Sequence, residues 1–215
     1  YGDWLSPEDS SQEVSDRLGV AYYAWDAMIM AKLARAIGKS QGKIQKYESL
    51  YQAEKSLFQK NYVREDGTVD RPAQSVCLHA LYLDLLPDEN SVEAVKKQLI
   101  DNIENKGNKL GTGFLGTEII MHTLTKIGRA DIAYKLLLQH QYPSWLYSVD
   151  QGATTIWESW EGPYNTQGAG AGSLNHYSKG AVCAWFFSTM CGIQVAGENR
   201  FLIAPRPGGS LRHAQ

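Results

Sequence analysis

Cysteine is scarce in this sequence: Cys77, Cys183 and Cys191 are the only three among 215 residues. An odd count without short repeated spacing gives neither a disulfide framework nor a zinc motif. Cys183 and Cys191 sit in an apolar stretch and are expected as buried core thiols. No apolar run approaches the roughly 18 residues of a transmembrane helix, so no membrane span is expected. A charge excess is lacking too, since 21 basic and 23 acidic residues give a net −2. Nucleic-acid binders carry a basic patch or stripe, and neither is present. The histidines show no metal-ligand spacing. The glycines at Gly168–Gly172 lack the Lys-Ser/Thr of a phosphate loop, and there is no Gly-x-Ser-x-Gly elbow. No metal and no cofactor are therefore expected, and a neutral, polar substrate suits the charge balance. The first residues show no signal-peptide pattern, which decides nothing for a sequence that reads as starting inside a longer chain. The compartment is left open.

Aromatic residues are plentiful, with 6 Trp and 12 Tyr. They gather at Gly2–Leu5, Tyr142–Tyr147 and Trp157–Trp185. For any one of them core packing is the ordinary role. Sugars, however, bind aromatic faces through their C–H surface while carboxylates and amides hold the hydroxyls, and these aromatics stand beside Glu, Asp, Asn and His in glycine-rich loops.

The apolar spacing predicts helical hairpins. Ser15 is read as the cap of a helix to about Ile37, with Leu18, Tyr22, Trp25, Ile29, Leu33 and Ile37 as its stripe and Gly38 as its stop. A second helix is expected at about Lys43–Tyr62, followed by an Asp66-Gly67 turn. A short helix at about Ala73–Leu86 ends at Pro87. Ser91 is read as the cap of the next, striped by Val92, Val95, Leu99 and Ile103. Thr112–Gly116 leads into a helix through Ile127, and Asp131–His140 is its partner. Tyr177–Cys191 is expected as the last helix, with Ala181, Ala184, Trp185 and Ser188 on its face. Phe201–Ala204 reads as a strand cut off after a Pro/Gly turn. About seven helices with alternating short and long connections predict an all-α toroid or solenoid, and no strict repeat favours a regular array. Both ends read as internal to a longer chain, and a half toroid with exposed apolar faces is expected to self-associate.

The connection from Tyr142 to Tyr177 is too long and too rich in special residues to be a mere linker. Within it Glu158 stands between Trp157 and Trp160. A carboxylate flanked by aromatics is desolvated, which favours acid–base chemistry, although a surface Glu beside packed tryptophans has the same sequence. Asp150 and Glu161 lack that bracket. His176, after Asn175, is either a capping or core histidine or, with Asn175, a donor to sugar hydroxyls. Asp3 and Trp4 divide the same way, between site and core.

The segments GDWL (2–5), TGFLGT (112–117), YPSWLY (142–147), GATTIWESW (152–160) and SLNHY (173–177), in this order, resemble the bacterial alpha-L-rhamnosidases of glycoside hydrolase family 78. GRADIAYKLLLQ (128–139) is similar to that family's helical hairpin. The resemblance implies an (α/α)6 barrel, of which 1–195 supplies roughly the second half, with 196–215 entering a C-terminal β-sandwich. It implies inverting hydrolysis of rhamnose-containing glycosides or polysaccharides. Glu158 matches the general base, the general acid lies in a motif upstream of Gly2, and Trp4 and His176 inherit sugar contacts. Asp3, Trp157 and Asn175 complete the implied substrate set. Ser159, and Gly172-Ser173-Leu174 before the NHY motif, depart from the family pattern, at what is expected to be the pocket rim. The rival readings are another exo-glycosidase or an unsaturated glucuronyl hydrolase on the same toroid, and a non-catalytic carbohydrate-binding protein.

Overall fold

The computed structural model describes residues 2–164 and 172–211. The glycine stretch from Gly168 to Ala171 and the last four residues of the expected sandwich entry lie outside these. Backbone proximity divides the chain into two compact units, one of 1–4 with 8–102 and one of 5–7 with 103–215.

In the first unit, α1 (Gln12–Ala36) packs on α2 (Gln41–Tyr62) and on α3 (Gln74–Tyr82). Helix α1 starts a turn earlier than predicted. Ser11, not Ser15, is its cap, accepting the Val14 amide at 3.4 Å, and the Ser15 hydroxyl donates back to the Ser11 carbonyl at 3.1 Å. The C-terminus is as expected: Gly38 takes φ +66°, and its amide and that of Lys39 close on the carbonyls of Arg35 and Ala34. The buried face differs from the predicted stripe. It is Val14, Leu18, Ala21, Ala24, Ala27, Ala31 and Ala34, whereas Leu33 and Ile37 are more than half exposed. Small side chains let neighbouring backbones approach closely, so the seam is built from alanine while the larger residues cover its flanks.

After α2 the chain turns at Asp66-Gly67 as predicted. Asp66 Oδ1 accepts the Thr68 amide at 2.9 Å, Gly67 has φ +82°, and Val63 and Val69 form an isolated antiparallel bridge. Helix α3 is buried from Gln74 through Leu81 and ends at Tyr82, short of Pro87. The next helix, α4 (Glu89–Asn105), is capped by Asp88, whose Oδ1 accepts both the amide and the hydroxyl of Ser91 at 2.8 Å. Ser91 thus lies inside the first turn. Val95, Leu99 and Ile103 are fully buried, as the stripe predicted.

In the second unit α5 (Phe114–Lys126) packs on α6 (Ala130–Leu137), and Gly128 at φ +79° joins them. The short α7 (Trp145–Asp150) is capped by Ser144, which accepts the Tyr147 amide at 3.1 Å. The expected last helix is one helical run in three registers: a 3₁₀ turn over Ser178–Ala181, α8 (Val182–Trp185) and a π turn over Phe186–Met190. Trp185 is buried in it and donates its indole N–H to Thr125 Oγ1 at 2.9 Å. The two thiols do not occupy the core: Cys183 is exposed and Cys191 half-buried, because the apolar stretch presents Val182 and Trp185 inward and Cys183 outward. Cys77 is the buried one.

A hairpin follows, with β1 (Ile193–Gly197) antiparallel to β2 (Arg200–Ile203) and Val195 opposite Phe201. The predicted strand is thus the second of a pair that begins at Ile193. No helix among the described residues is long and apolar enough to cross a membrane.

Candidate active site

The segment through Glu158 runs beside the segment through His176 in the opposite direction. The Glu158 amide donates to the Ser173 carbonyl at 2.9 Å, and the His176 amide to the Ile156 carbonyl at 2.8 Å. Thr155 Oγ1 donates to the Leu174 carbonyl. This pairing brings Glu158 and His176, eighteen positions apart, onto one short ribbon. Glu158 is half-buried, and its Oε2 accepts the Ser173 amide at 2.7 Å. Gly172 sets the approach: at φ +61°, a Cβ there would stand 3.1 Å from Oε2.

The other two carboxylates of the stretch are engaged elsewhere. Asp150 pairs with His140 at 2.7 Å on the surface, and Glu161 Oε1 accepts the Tyr142 hydroxyl at 3.1 Å. Burial, then the Glu161 charge and that hydrogen bond, pushes the Tyr142 phenol up to about 12.

His176 is half-buried; its ring stacks on Tyr177 (5.1 Å between centroids, nearly parallel) and meets Phe114 at a tilt (5.0 Å). The Ser178 amide meets its Nδ1 at 3.3 Å and the Ser178 hydroxyl meets it at 2.9 Å. An amide can only donate, so Nδ1 is the acceptor and the proton of the neutral ring sits on Nε2. Asn175 is exposed.

The tryptophans flanking Glu158 are buried, at 6% and 3% exposure for Trp157 and Trp160. The Trp160 indole donates to the Thr112 carbonyl at 2.8 Å, and Trp157 lies edge-on to Tyr164. Both line a cavity of about 280 Å³ with Trp145, Thr154, Thr155 and Lys179; Glu158 does not line it. Ser159, expected at a rim, is buried and shapes the following turn, its Oγ accepting the Gly162 amide at 2.9 Å.

Asp3 and Trp4 belong to the first unit. Asp3 is fully buried and accepts the Ser75 hydroxyl. Trp4 is 45% exposed. Among the described residues no group of three or more His, Cys, Asp or Glu side chains has the arrangement of a metal site.

Lys179 was not anticipated. It is 2% exposed, and its Nζ donates to the main-chain carbonyl of Glu158. The ammonium lies over the rings of Trp160 (4.6 Å) and Phe114 (5.2 Å). The sequence did carry a signal, because Lys179 is the only Lys, Arg, Asp or Glu between Glu161 and Glu198.

Known proteins resemble this chain in sequence and in fold. The chain is 37% identical over its whole length to alpha-L-rhamnosidases of Streptomyces avermitilis and Formosa agariphila. It spans 21% and 24% of those relatives, about a quarter of their length or less. A crystal structure of the Streptomyces avermitilis alpha-L-rhamnosidase complexed with L-rhamnose matches 98% of this chain, and 20% of its own, with a TM-score of 0.87. The alpha-L-rhamnosidase of Dictyoglumus thermophilum, 34% identical, matches 98% of this chain and 24% of its own with a TM-score of 0.88. The helical class expected from the sequence therefore holds, with the hairpin of β1 and β2 as its short sheet. Residues 1–190 match the model of the bacterial alpha-L-rhamnosidase 6 hairpin glycosidase domain, and the chain belongs to that family.

Proposed function

We propose that this chain supplies the general base, Glu158, and part of the sugar pocket of an enzyme that removes terminal α-L-rhamnosyl residues with inversion. The observation that carries this reading is the ribbon pairing Glu158 with His176. It holds one carboxylate oxygen on a main-chain amide and leaves Oε1 to take a proton. Asp150 and Glu161, bound to His140 and Tyr142, have no comparable placement beside a sugar-binding donor. Residues 1–195 are assigned to the helical glycosidase domain and 196–215 to the entry of a β-sandwich.

In the reaction Glu158 takes a proton from water as the water oxygen bonds to the anomeric carbon. The glycosidic C–O bond breaks on the opposite side. A second carboxylic acid, which the family resemblance puts outside these 215 residues, gives its proton to the departing oxygen. An inverting pair stands about 6.5–9.5 Å apart to admit the water. His176 offers a donor through Nε2–H and Asn175 a further polar contact, and the family resemblance assigns Trp4 a stacking face.

The test uses the full-length protein. It should hydrolyse an aryl α-L-rhamnoside in preference to other aryl glycosides, and NMR before mutarotation should show the inverted sugar first. Glu158→Ala should lower turnover by roughly 10²–10⁴-fold. Azide should then restore turnover by forming the glycosyl azide of inverted configuration. A first-formed product that keeps the substrate's configuration, or near-normal activity in Glu158→Ala, would remove Glu158 from this role.

A further inference from the structure

Lysine is among the side chains least often buried, and a buried ammonium persists only where partners replace its water. Lys179 has them. Its Nζ donates to the Glu158 carbonyl, and the faces of Trp160 and Phe114 flank it. Its own carbonyl accepts the Trp145 indole N–H at 2.9 Å. Phe114, one of these faces, also packs on the His176 ring. Lys179 therefore stands on the 3₁₀ turn that fixes His176 through Ser178, and from there it reaches the backbone of Glu158.

From this geometry we infer that Lys179 is a positioning residue for the general base: its buried ammonium pins the main chain of Glu158 and fixes the carboxylate against the His176 turn. The inference rests on Glu158 acting as the base. Without the ammonium the Glu158 main chain is left with its amide bond to the Ser173 carbonyl, and the carboxylate with the Ser173 amide. A displacement of about 1 Å at a reacting group can cost as much as a hundredfold in rate. Lys179 touches no substrate on this reading, so its effect falls on the chemical step and not on sugar affinity.

The experiment compares Lys179→Met, Lys179→Arg and Glu158→Ala in the full-length protein. Met keeps the volume of the stem and removes the charge and the donor, while Arg restores both. Active-site concentration is normalised by titration with L-rhamnose. Lys179→Met is expected to lower kcat by about 10- to 100-fold with KM and L-rhamnose affinity within threefold of wild type. Lys179→Arg should recover at least a third of the lost kcat on a logarithmic scale. Wild-type kcat per folded site in Lys179→Met overturns the inference, as does a loss confined to KM. If Lys179→Met does not fold, Lys179→Gln, which keeps a shorter donor, takes its place. Failure of both to fold overturns the inference in favour of a purely structural lysine. The Glu158→Ala arm separates the two levels. Loss of activity there with an unaffected Lys179→Met sinks only the lysine's role, whereas an active Glu158→Ala sinks the reading beneath it.

Discussion

Gly162 lies so close under the indole of Trp157 that a Cβ there would fall 2.0 Å from ring carbon Cε3. Its φ of +56° is also a conformation that other L-residues adopt only at a cost. Position 162 must be glycine for Trp157 to stay buried beside Glu158. Gly162→Ala should destabilise the protein by roughly 2–4 kcal/mol, from overpacking and backbone strain together. Tryptophan fluorescence should shift to the red as Trp157 moves. A variant with unchanged urea midpoint and emission would contradict this packing.

The sequence pattern served best where burial follows large side chains at regular spacing. Val95, Leu99 and Ile103 mark the buried face of α4 because each carries enough apolar surface to dominate the period. It served worst in α1, where the buried seam is alanine and the larger Leu33 and Ile37 face outward. Periodicity weighs size, whereas close helix packing selects smallness. Cys183 was misplaced for a related reason, since an uncharged stretch has two faces and composition does not say which is inside. Glu158 and His176 were legible as motif members. Their pairing was not, because it rests on backbone hydrogen bonds between segments that no local pattern joins. Asp3 shares its segment with Trp4, yet one is buried and the other exposed. Neighbours in a loop carry no period from which to divide them.

Gly172 gives a test of the Glu158 carboxylate that leaves the carboxylate itself in place. Alanine at φ +61° is strained, and its Cβ would stand 3.1 Å from Oε2, tighter than ordinary van der Waals contact. The Ser173 amide that holds Oε2 would move with it. Gly172→Ala should lower kcat by about 10-fold or more in the full-length protein, with a smaller effect on the urea midpoint. Equal activity in wild type and variant would show that the Oε2 contact is not needed for turnover.

His79 should make stability fall in mild acid. It is wholly buried, its Nδ1–H donating to the Ser75 carbonyl at 2.6 Å and its Nε2 accepting the Tyr22 hydroxyl at 3.2 Å. Burial holds its pKa below the usual 6.5, outweighing the upward pull of the Ser75 carbonyl and Asp3. His122 is lowered in the same direction, again by burial, against Glu118. A depressed histidine binds its proton more readily in the unfolded chain. Stability is therefore full above about pH 6.5 and declines as pH falls below it toward the folded-state values. The slope approaches about 1.4 kcal/mol per pH unit for each proton taken up. Urea midpoints from pH 8 to 5 should show the decline, and His79→Gln with His122→Gln should flatten it. A flat profile in the wild type would contradict the buried neutral histidine.

Thiol chemistry should order the three cysteines by burial. Cys183 is exposed, Cys191 half-buried and Cys77 completely buried, and burial pushes the Cys77 thiol far up. The thiolate is the reactive form, so Cys77 is protected twice over. Iodoacetamide at pH 8 should modify Cys183 first and Cys191 more slowly, and Cys77 only once denaturant is added. Peptide mass mapping reads the order directly. Rapid modification of Cys77 in the native protein would place α3 outside the core.

On the proposed reading His176 gives one hydrogen bond to a sugar hydroxyl. Because Nδ1 receives the Ser178 amide, the neutral ring offers a donor at Nε2, and the ring stacks on Tyr177 with Phe114 tilted 5.0 Å away. A histidine held in this way is suited to giving one hydrogen bond to a hydroxyl. A neutral hydrogen bond contributes about 0.5–1.5 kcal/mol net, which is roughly two- to tenfold in kcat/KM. His176→Ala should lose more than this, since the hydroxyl would be left unsatisfied in a partly dry pocket and the stacked ring would be lost as well. His176→Gln, whose amide can donate from a similar distance, should recover part of the loss. Trp4→Ala removes a face and not a donor, so it should raise KM and weaken L-rhamnose binding to a similar degree. For His176→Ala the comparison of α-L-rhamnoside with 2-, 3- and 4-deoxy analogues locates the contact. The variant should discriminate least against the analogue lacking the hydroxyl that Nε2–H serves. If all three analogues lose equally in wild type and His176→Ala, the ring touches no sugar hydroxyl and its part is to pack Phe114 and Tyr177.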